Sequence, residues 1–282
     1  LLNSQPMGFY SPSQLVQDAR RNGVMVLPVD VTISTWDSSI ERTENAPRPA
    51  VRLGLSLLKG MRDGAAQRVE FARAVRAFES VPDLARRAEL DRHDLKVLAD
   101  ASALSSLAGN RRKALWQAVA AVPDRDMLAT AGIHEVTPAL GTPSEAEGVV
   151  ADYRSGGLTL GRHPLALLRP RLTKLRLMSA QVLHTYRNGR LARGCGIVTV
   201  RQQPATAKGV IFITMEDETG NVNVIIRPQV LRAQRREVLG ASLLGVYGVW
   251  QREGEIRHLV AQRLVDLSGL LGSLSTGSRN FC

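Results

Sequence analysis

The stretch GVIFITMEDETGNVNVIIR, residues 209–227, decides how this chain is read. Gly209–Glu216 and Val222–Arg227 read as β-strands, in which a period of two sends successive side chains to opposite faces. Glu218-Thr219-Gly220-Asn221 supplies a corner between them, so the two strands form a hairpin. Glu216-Asp217-Glu218 is the dense acidic cluster of the sequence. In a strand Glu216 and Glu218 share a face and Asp217 does not, so the cluster reads as a solvated hairpin tip rather than a metal site.

The same period extends outward on both sides. Ala192–Arg201 precedes the hairpin, and Ser242–Gln251 and Glu255–Leu264 follow it, with Arg252-Glu253-Gly254 turning the last pair. Between the third and fourth strands, Pro228–Leu239 opens with proline at a helix-start position and carries Val230, Leu231 and Val238 as apolar points. Five strands with one helix between the third and fourth make an OB-fold, a partly open Greek-key barrel of a kind that binds oligonucleotides.

Upstream the period lengthens to that of helices. Pro12–Asn22 is a short helix pattern and Val24–Val31 an extended apolar one, and Thr43–Pro49 reads as a loop. After apolar Val51–Lys59, Gly60 and Gly64 bracket a turn before Ala65–Phe78, whose Val69, Ala72, Val75 and Phe78 line one face. Asp91–Leu107 gives one or two helices. Gly109-Asn110 then punctuates before Arg111–Val122, where Asn110 is the expected N-cap and Leu115, Trp116 and Val119 face inward. Two helical units, each with a Gly-marked hairpin, suggest a paired helix-hairpin-helix module, although an ordinary helical bundle has the same spacing. Pro123–Gly148 reads as a connector with little secondary structure, and Tyr153–Leu177 as basic and partly helical around Leu165–Leu168. The fold class is α+β and multidomain, and the chain's opening at Leu1 reads as the middle of a folded region.

Charge is unevenly placed along this 282-residue chain. Residues 1–150 hold 18 Lys/Arg and 18 Asp/Glu, whereas residues 151–282 hold 19 and 8, which accounts for the full net charge of +11. From Tyr153 to Met215 there are eleven basic residues and no carboxylate. Such an approach to a small barrel suits a polyanion, because phosphate contacts dominate nucleic-acid affinity. Aromatics make up 4% of the chain, so base stacking cannot be widespread. Candidate phosphate contacts around the barrel are Arg190, Arg193, Arg201, Lys208 and Arg227, the loop Arg201–Gly209 being where OB barrels engage nucleic acid. Tyr247 and Trp250 read as core first and as stacking residues second.

Other chemistries find no foothold. The five histidines are scattered without ligand spacing, two cysteines make no disulfide framework, and no phosphate loop, nucleophile elbow or dinucleotide fingerprint occurs. No apolar run is long enough to span a bilayer, and the cysteine usage suits the cytoplasm.

Particular blocks carry a family resemblance: LLNSQPMGFY (1–10), PVDVTISTW (28–36), RLGLSLLKG (52–60), ATAKGVIF (205–212), EDETGNVN (216–223) and QREGEIRHLVA (251–261). In this order they resemble the C-terminal region of the bacterial C-family DNA polymerase alpha subunit, in its error-prone, ImuC-type paralogue. The resemblance implies that residues 1–50 end a fingers domain, 51–122 form the helix-hairpin-helix DNA-binding module, 123–190 a connector, 191–268 the OB domain and 269–282 a tail. It implies DNA as partner, both primer–template duplex and single-stranded template. Partner proteins of a damage-induced mutagenesis cassette would recruit the enzyme, with the sliding clamp engaged indirectly. Palm carboxylates with two Mg2+ ions would perform nucleotidyl transfer outside this chain, which itself would bind no cofactor. The family's first hairpin reads Gly–hydrophobic–Gly, whereas Gly60-Met61-Arg62 lacks the second glycine. Lys59 and Gly60 are the better carry-over there, with two alternatives for the lost glycine, a substitute side-chain contact from Arg62 or a weakly binding hairpin. Arg111, Arg112 and Lys113 are the candidates at the second hairpin. Two other readings stay open: a stand-alone OB-fold protein binding single-stranded nucleic acid, and a basic RNA-binding structural protein.

Overall fold

The computed structural model describes residues 1–5, 10–42, 48–121, 141–272 and 279–281. Much of the Thr43–Pro49 loop and the first part of the expected connector lie outside the described residues. The chain divides into two units, Leu1–Gly161 and Arg162–Cys282, whose apolar cores have no residue in common.

The first unit begins with α1 (Pro12–Arg21), closed by a Ser11–Gln14 capping box. A small sheet follows, in which β1 (Val26–Leu27) pairs parallel and β2 (Ser39–Glu41) antiparallel with β3 (Ala50–Arg52). Five helices follow: α2 (Asp63–Val75), α3 (Val81–Arg87), α4 (Arg92–Asp100), α5 (Ser105–Ala108) and α6 (Arg111–Ala120). A further helix, α7 (Glu145–Ser155), also belongs to this unit and starts at a Ser144–Glu147 capping box. The core is built on Leu55, Val69, Leu84, Leu95, Leu98 and Leu104, all fully buried.

Two expected helix faces are corrected here. On α6 the buried residues are Ala114 and Ala118, while Trp116 is 43% and Val119 63% exposed and Leu115 only partly buried. α6 packs against α3, α4 and α5, and small alanines let the helices approach where larger side chains would hold them apart. On α2, Val69 and Ala72 are buried as expected, but Val75 is exposed. The helix ends there, and Phe78 reaches the core from the chain beyond it.

The second unit opens with α8 (Pro164–Lys174) and α9 (Ala180–His184) and then forms the barrel. Its strands are β4 (Leu191–Gln202), β5 (Ile211–Asp217), β6 (Gly220–Ile226), β7 (Leu243–Glu253) and β8 (Ile256–Asp266). Each lies within three residues of its sequence expectation at either end. The order β5-β6-β8-β7-β4 closes through an additional β4–β5 pairing, with β6 and β8 parallel and every other neighbour among the five antiparallel. This is the closed five-stranded Greek key of an OB-fold. The helix expected between the third and fourth strands is two short ones, α10 (Pro228–Ala233) and α11 (Arg235–Gly240), separated at Gln234. A three-residue strand, β9 (Arg279–Phe281), runs parallel to the end of β4.

Trp250, Ile213, Met215 and Leu259 fill the barrel interior. At Gly248, where the β7–β8 register shifts, a Cβ would come within 2.0 Å of the Val260 carbonyl oxygen, so no other residue fits. Among the described residues no helix is long and apolar enough to cross a membrane.

Candidate nucleic-acid interface

In the first unit, the candidate hairpin runs from the helical turn Leu55–Leu57 into α2. Gly60 sits at φ +86°, a backbone conformation that glycine adopts without strain. Its carbonyl accepts a hydrogen bond from His93 Nε2 at 2.9 Å. α2 differs from its neighbours at its N-terminus. Side chains of Ser80, Asp91, Asn110 and Ser144 cap α3, α4, α6 and α7, but Arg62 gives α2 no side-chain cap. The amides of its first turn therefore lack a side-chain acceptor, the situation in which a helix start can receive an anion.

The cations beside these hairpins are engaged within the unit. Lys59 Nζ donates to the Tyr153 carbonyl at 3.0 Å and its amide to the Ser155 carbonyl at 2.7 Å, both at the C-terminal end of α7. Arg62 is bonded to Asp91 and, at 2.9 Å, to Asp94, and these bonds raise its pKa above the ordinary guanidinium range. At the second hairpin, Arg111 bonds to Asp152 and to the Gly148 carbonyl, and Arg112 to Glu147 at 3.1 Å. Among the described residues the Lys113 side chain has no partner. One acidic helix thus reaches three of the six sequence candidates in this unit.

In the second unit the candidates separate. Arg201 is only 7% exposed and bonds through Nε to the Val238 carbonyl at 2.8 Å and through its other end to the Ala241 carbonyl. These carbonyls lie at the C-terminal end of α11, so Arg201 acts as a C-terminal cap rather than as a surface phosphate contact. Burial lowers its pKa from the ordinary guanidinium value. Lys208, Arg227, Arg190 and Arg193 are exposed. Lys208 stands at φ +46° beside Gly209 at φ +81°, two successive left-handed residues that turn the β4–β5 loop. The Arg190 guanidinium lies 3.8 Å from the centre of the Tyr186 ring.

The acidic corner is also unlike its sequence expectation. Glu216 and Asp217 are 4% and 2% exposed, not solvated. Arg169 of α8 bonds to Asp217 at 3.1 Å and to both oxygens of Glu218, at 2.5 and 2.8 Å. Asp217 also accepts the amides of Thr219 and Gly220, which shapes the corner, and that of Ala180, which ties α9 to it. Burial works against the Glu218 charge, yet the Arg169 hydrogen bond prevails and holds its pKa below the usual carboxylate value. These carboxylates are thus occupied by protein donors, and among the described residues no cluster of three or more metal-ligating side chains occurs. Cys195, beneath this corner, has its thiol pushed up to about 12 by burial.

Trp250 is fully buried, as the core reading expects. Tyr247 is half-buried, and two guanidiniums face its ring, Arg193 at 5.2 Å and Arg263 at 5.7 Å. Arg263 is a surface cation that sequence reasoning misses, since only the β7–β8 register brings it beside Tyr247.

Residues 23–114 match the helix-hairpin-helix motif family. Over its whole length the chain is 62% identical to the error-prone DNA polymerase of Burkholderia pseudomallei K96243, 60% to that of Bordetella parapertussis 12822 and 53% to that of Azoarcus sp. BH72. It spans 27% of the length of each of these relatives. Among solved structures, asparaginyl-tRNA synthetase from Pyrococcus horikoshii aligns with 32% of the chain at 18% identity and a TM-score of 0.28, too slight a likeness to bear on function.

Proposed function

We propose that this chain, homologous throughout to the C-terminal portion of error-prone DNA polymerases, is the part of such a polymerase that positions DNA during translesion synthesis. The observation that carries this reading is the 62% identity sustained over the full chain, across both the helix-hairpin-helix region and the barrel. In this reading the first unit holds the primer–template duplex through backbone amides at the Gly60 turn and the start of α2, with Lys113 beside the second hairpin. The second unit holds single-stranded template through the exposed cations Arg190, Lys208 and Arg227.

Nucleotidyl transfer then belongs to parts of a longer protein. Two Mg2+ ions held by paired carboxylates would supply that chemistry, by stabilising the attacking and leaving oxygens. The buried carboxylates Glu216, Asp217 and Asp94 do not suit that role, because Arg169, Arg62 and backbone amides engage Asp217 and Asp94 and a protein partner also engages Glu216. Recruitment by partner proteins of a mutagenesis cassette, with only indirect contact to a sliding clamp, and a cytoplasmic setting complete the proposal.

The test compares binding of the chain to a labelled primer–template junction, to blunt duplex and to single strand by fluorescence anisotropy at low salt. Tightest binding to the junction, weakening steeply with added salt, is the expected result. Equal and weak binding to all three would overturn the reading.

A further inference from the structure

We infer that the outer face formed by β4, β7 and β8 is a second strand-binding surface of the barrel, built on an Arg193–Tyr247–Arg263 ladder. The inference rests on the nucleic-acid reading above and adds to it a specific site.

The register defines the ladder. Arg193 on β4 stands opposite Tyr247 on β7, and Tyr247 stands opposite Arg263 on β8. Both guanidiniums face the one ring and so lie within about 11 Å of each other. The negative face of the tyrosine ring attracts each cation without neutralising either. Among the described residues neither guanidinium has a carboxylate partner or a hydrogen bond. Two like charges are thus gathered and oriented on the two strands that flank β7, with their donors unspent.

Guanidiniums with free, forked donors suit phosphate oxygens. The flanking outward positions are Leu191, 73% exposed, with Val249 opposite it and Val265 beyond Arg263. These apolar neighbours carry no charge to repel a phosphate and offer a surface on which unstacked bases can rest. Paired cations beside an apolar strip fit single-stranded DNA better than duplex, whose bases are turned inward.

The surface is separate from the β4–β5 loop. Arg193 and Gln202 are nine residues apart on β4, about 30 Å at the rise of an extended strand. A strand bound at the ladder therefore need not touch Lys208.

The experiment uses the full chain with a fluorescein-labelled oligo-dT probe, measured over 50–200 mM salt. R193A/R263A is expected to bind more weakly and to lose about 1.4 from the log–log salt slope, since each single-strand phosphate contact contributes about 0.7. R193K/R263K, which keeps both charges, is expected to recover most of that slope. Thermal melting of each variant checks that the barrel is intact, as expected for exposed positions. If the unaltered chain binds oligo-dT and R193A/R263A binds it with an unchanged slope, the ladder is not a site, while the broader reading stands. If the unaltered chain binds no DNA, that reading fails and takes this one with it. A loss confined to blunt duplex would overturn the assignment to single strands.

Discussion

Arg201 shows how one side chain can change role between sequence and structure. At the end of a basic, acid-free stretch it reads as a phosphate contact, but its bonds to the Val238 and Ala241 carbonyls close the end of α11 inside the barrel unit. Replacing it with leucine would leave buried carbonyls unpaired, at a cost on the order of 2 kcal/mol. R201L should therefore lower the urea midpoint of the barrel by about 1 M, with DNA binding of the folded fraction unchanged. A normal midpoint together with weakened DNA binding would return Arg201 to the interface. The acidic corner carries the same lesson. Three adjacent carboxylates read as solvated, and nothing local in the sequence announces Arg169, forty-eight residues upstream of Asp217. Pairings at that distance leave no periodicity to read, whereas the alternation of Val222, Val224 and Ile226 is local and shows plainly.

Among the elements, α7 is where the hairpins and the acidic side chains meet. Glu147 and Asp152 pair with Arg112 and Arg111, and carbonyls at its C-terminal end hold Lys59. If the hairpins receive DNA phosphates, those carboxylates compete for the same cations. E147Q/D152N should then tighten duplex binding several-fold with little change in melting temperature, read by anisotropy and calorimetry. Weaker binding would instead show that α7 is a buttress that orders the hairpins. The helices also mark the limit of pattern reading. Hydrophobicity turns Leu115, Trp116 and Val119 inward, but the close crossing selects Ala114 and Ala118. Strand boundaries come out within three residues because period two and glycine-marked turns are local signals. The Arg193–Tyr247–Arg263 ladder depends on register across three strands, and no single stretch of sequence contains it.

For the whole molecule, the two units have separate cores, one running from Val16 to Leu158 and the other from Ala180 to Leu264. Residues 162–282 expressed alone should therefore fold, giving one cooperative urea transition monitored at Trp250, which is fully buried in the barrel. A broad, non-cooperative transition would show that the barrel depends on the rest of the chain. The excess of positive charge also resolves by unit. In the first, carboxylates and carbonyls hold most of the hairpin cations, whereas in the second several exposed arginines have no acidic partner among the described residues.

β4 pairs with β7 along its first half and with β5 along its second, so one strand of twelve residues closes both sides of the barrel. Its partner β7 lies some fifty residues downstream, and β8, which joins β6 in parallel, comes later still. The hairpin at residues 211–226 can form from neighbours alone, but closure must wait for these distant strands and bear the entropy of a long loop. On a ribosome the first strand of the barrel would emerge well before it had anything to close against, leaving an open edge that the finished protein never displays.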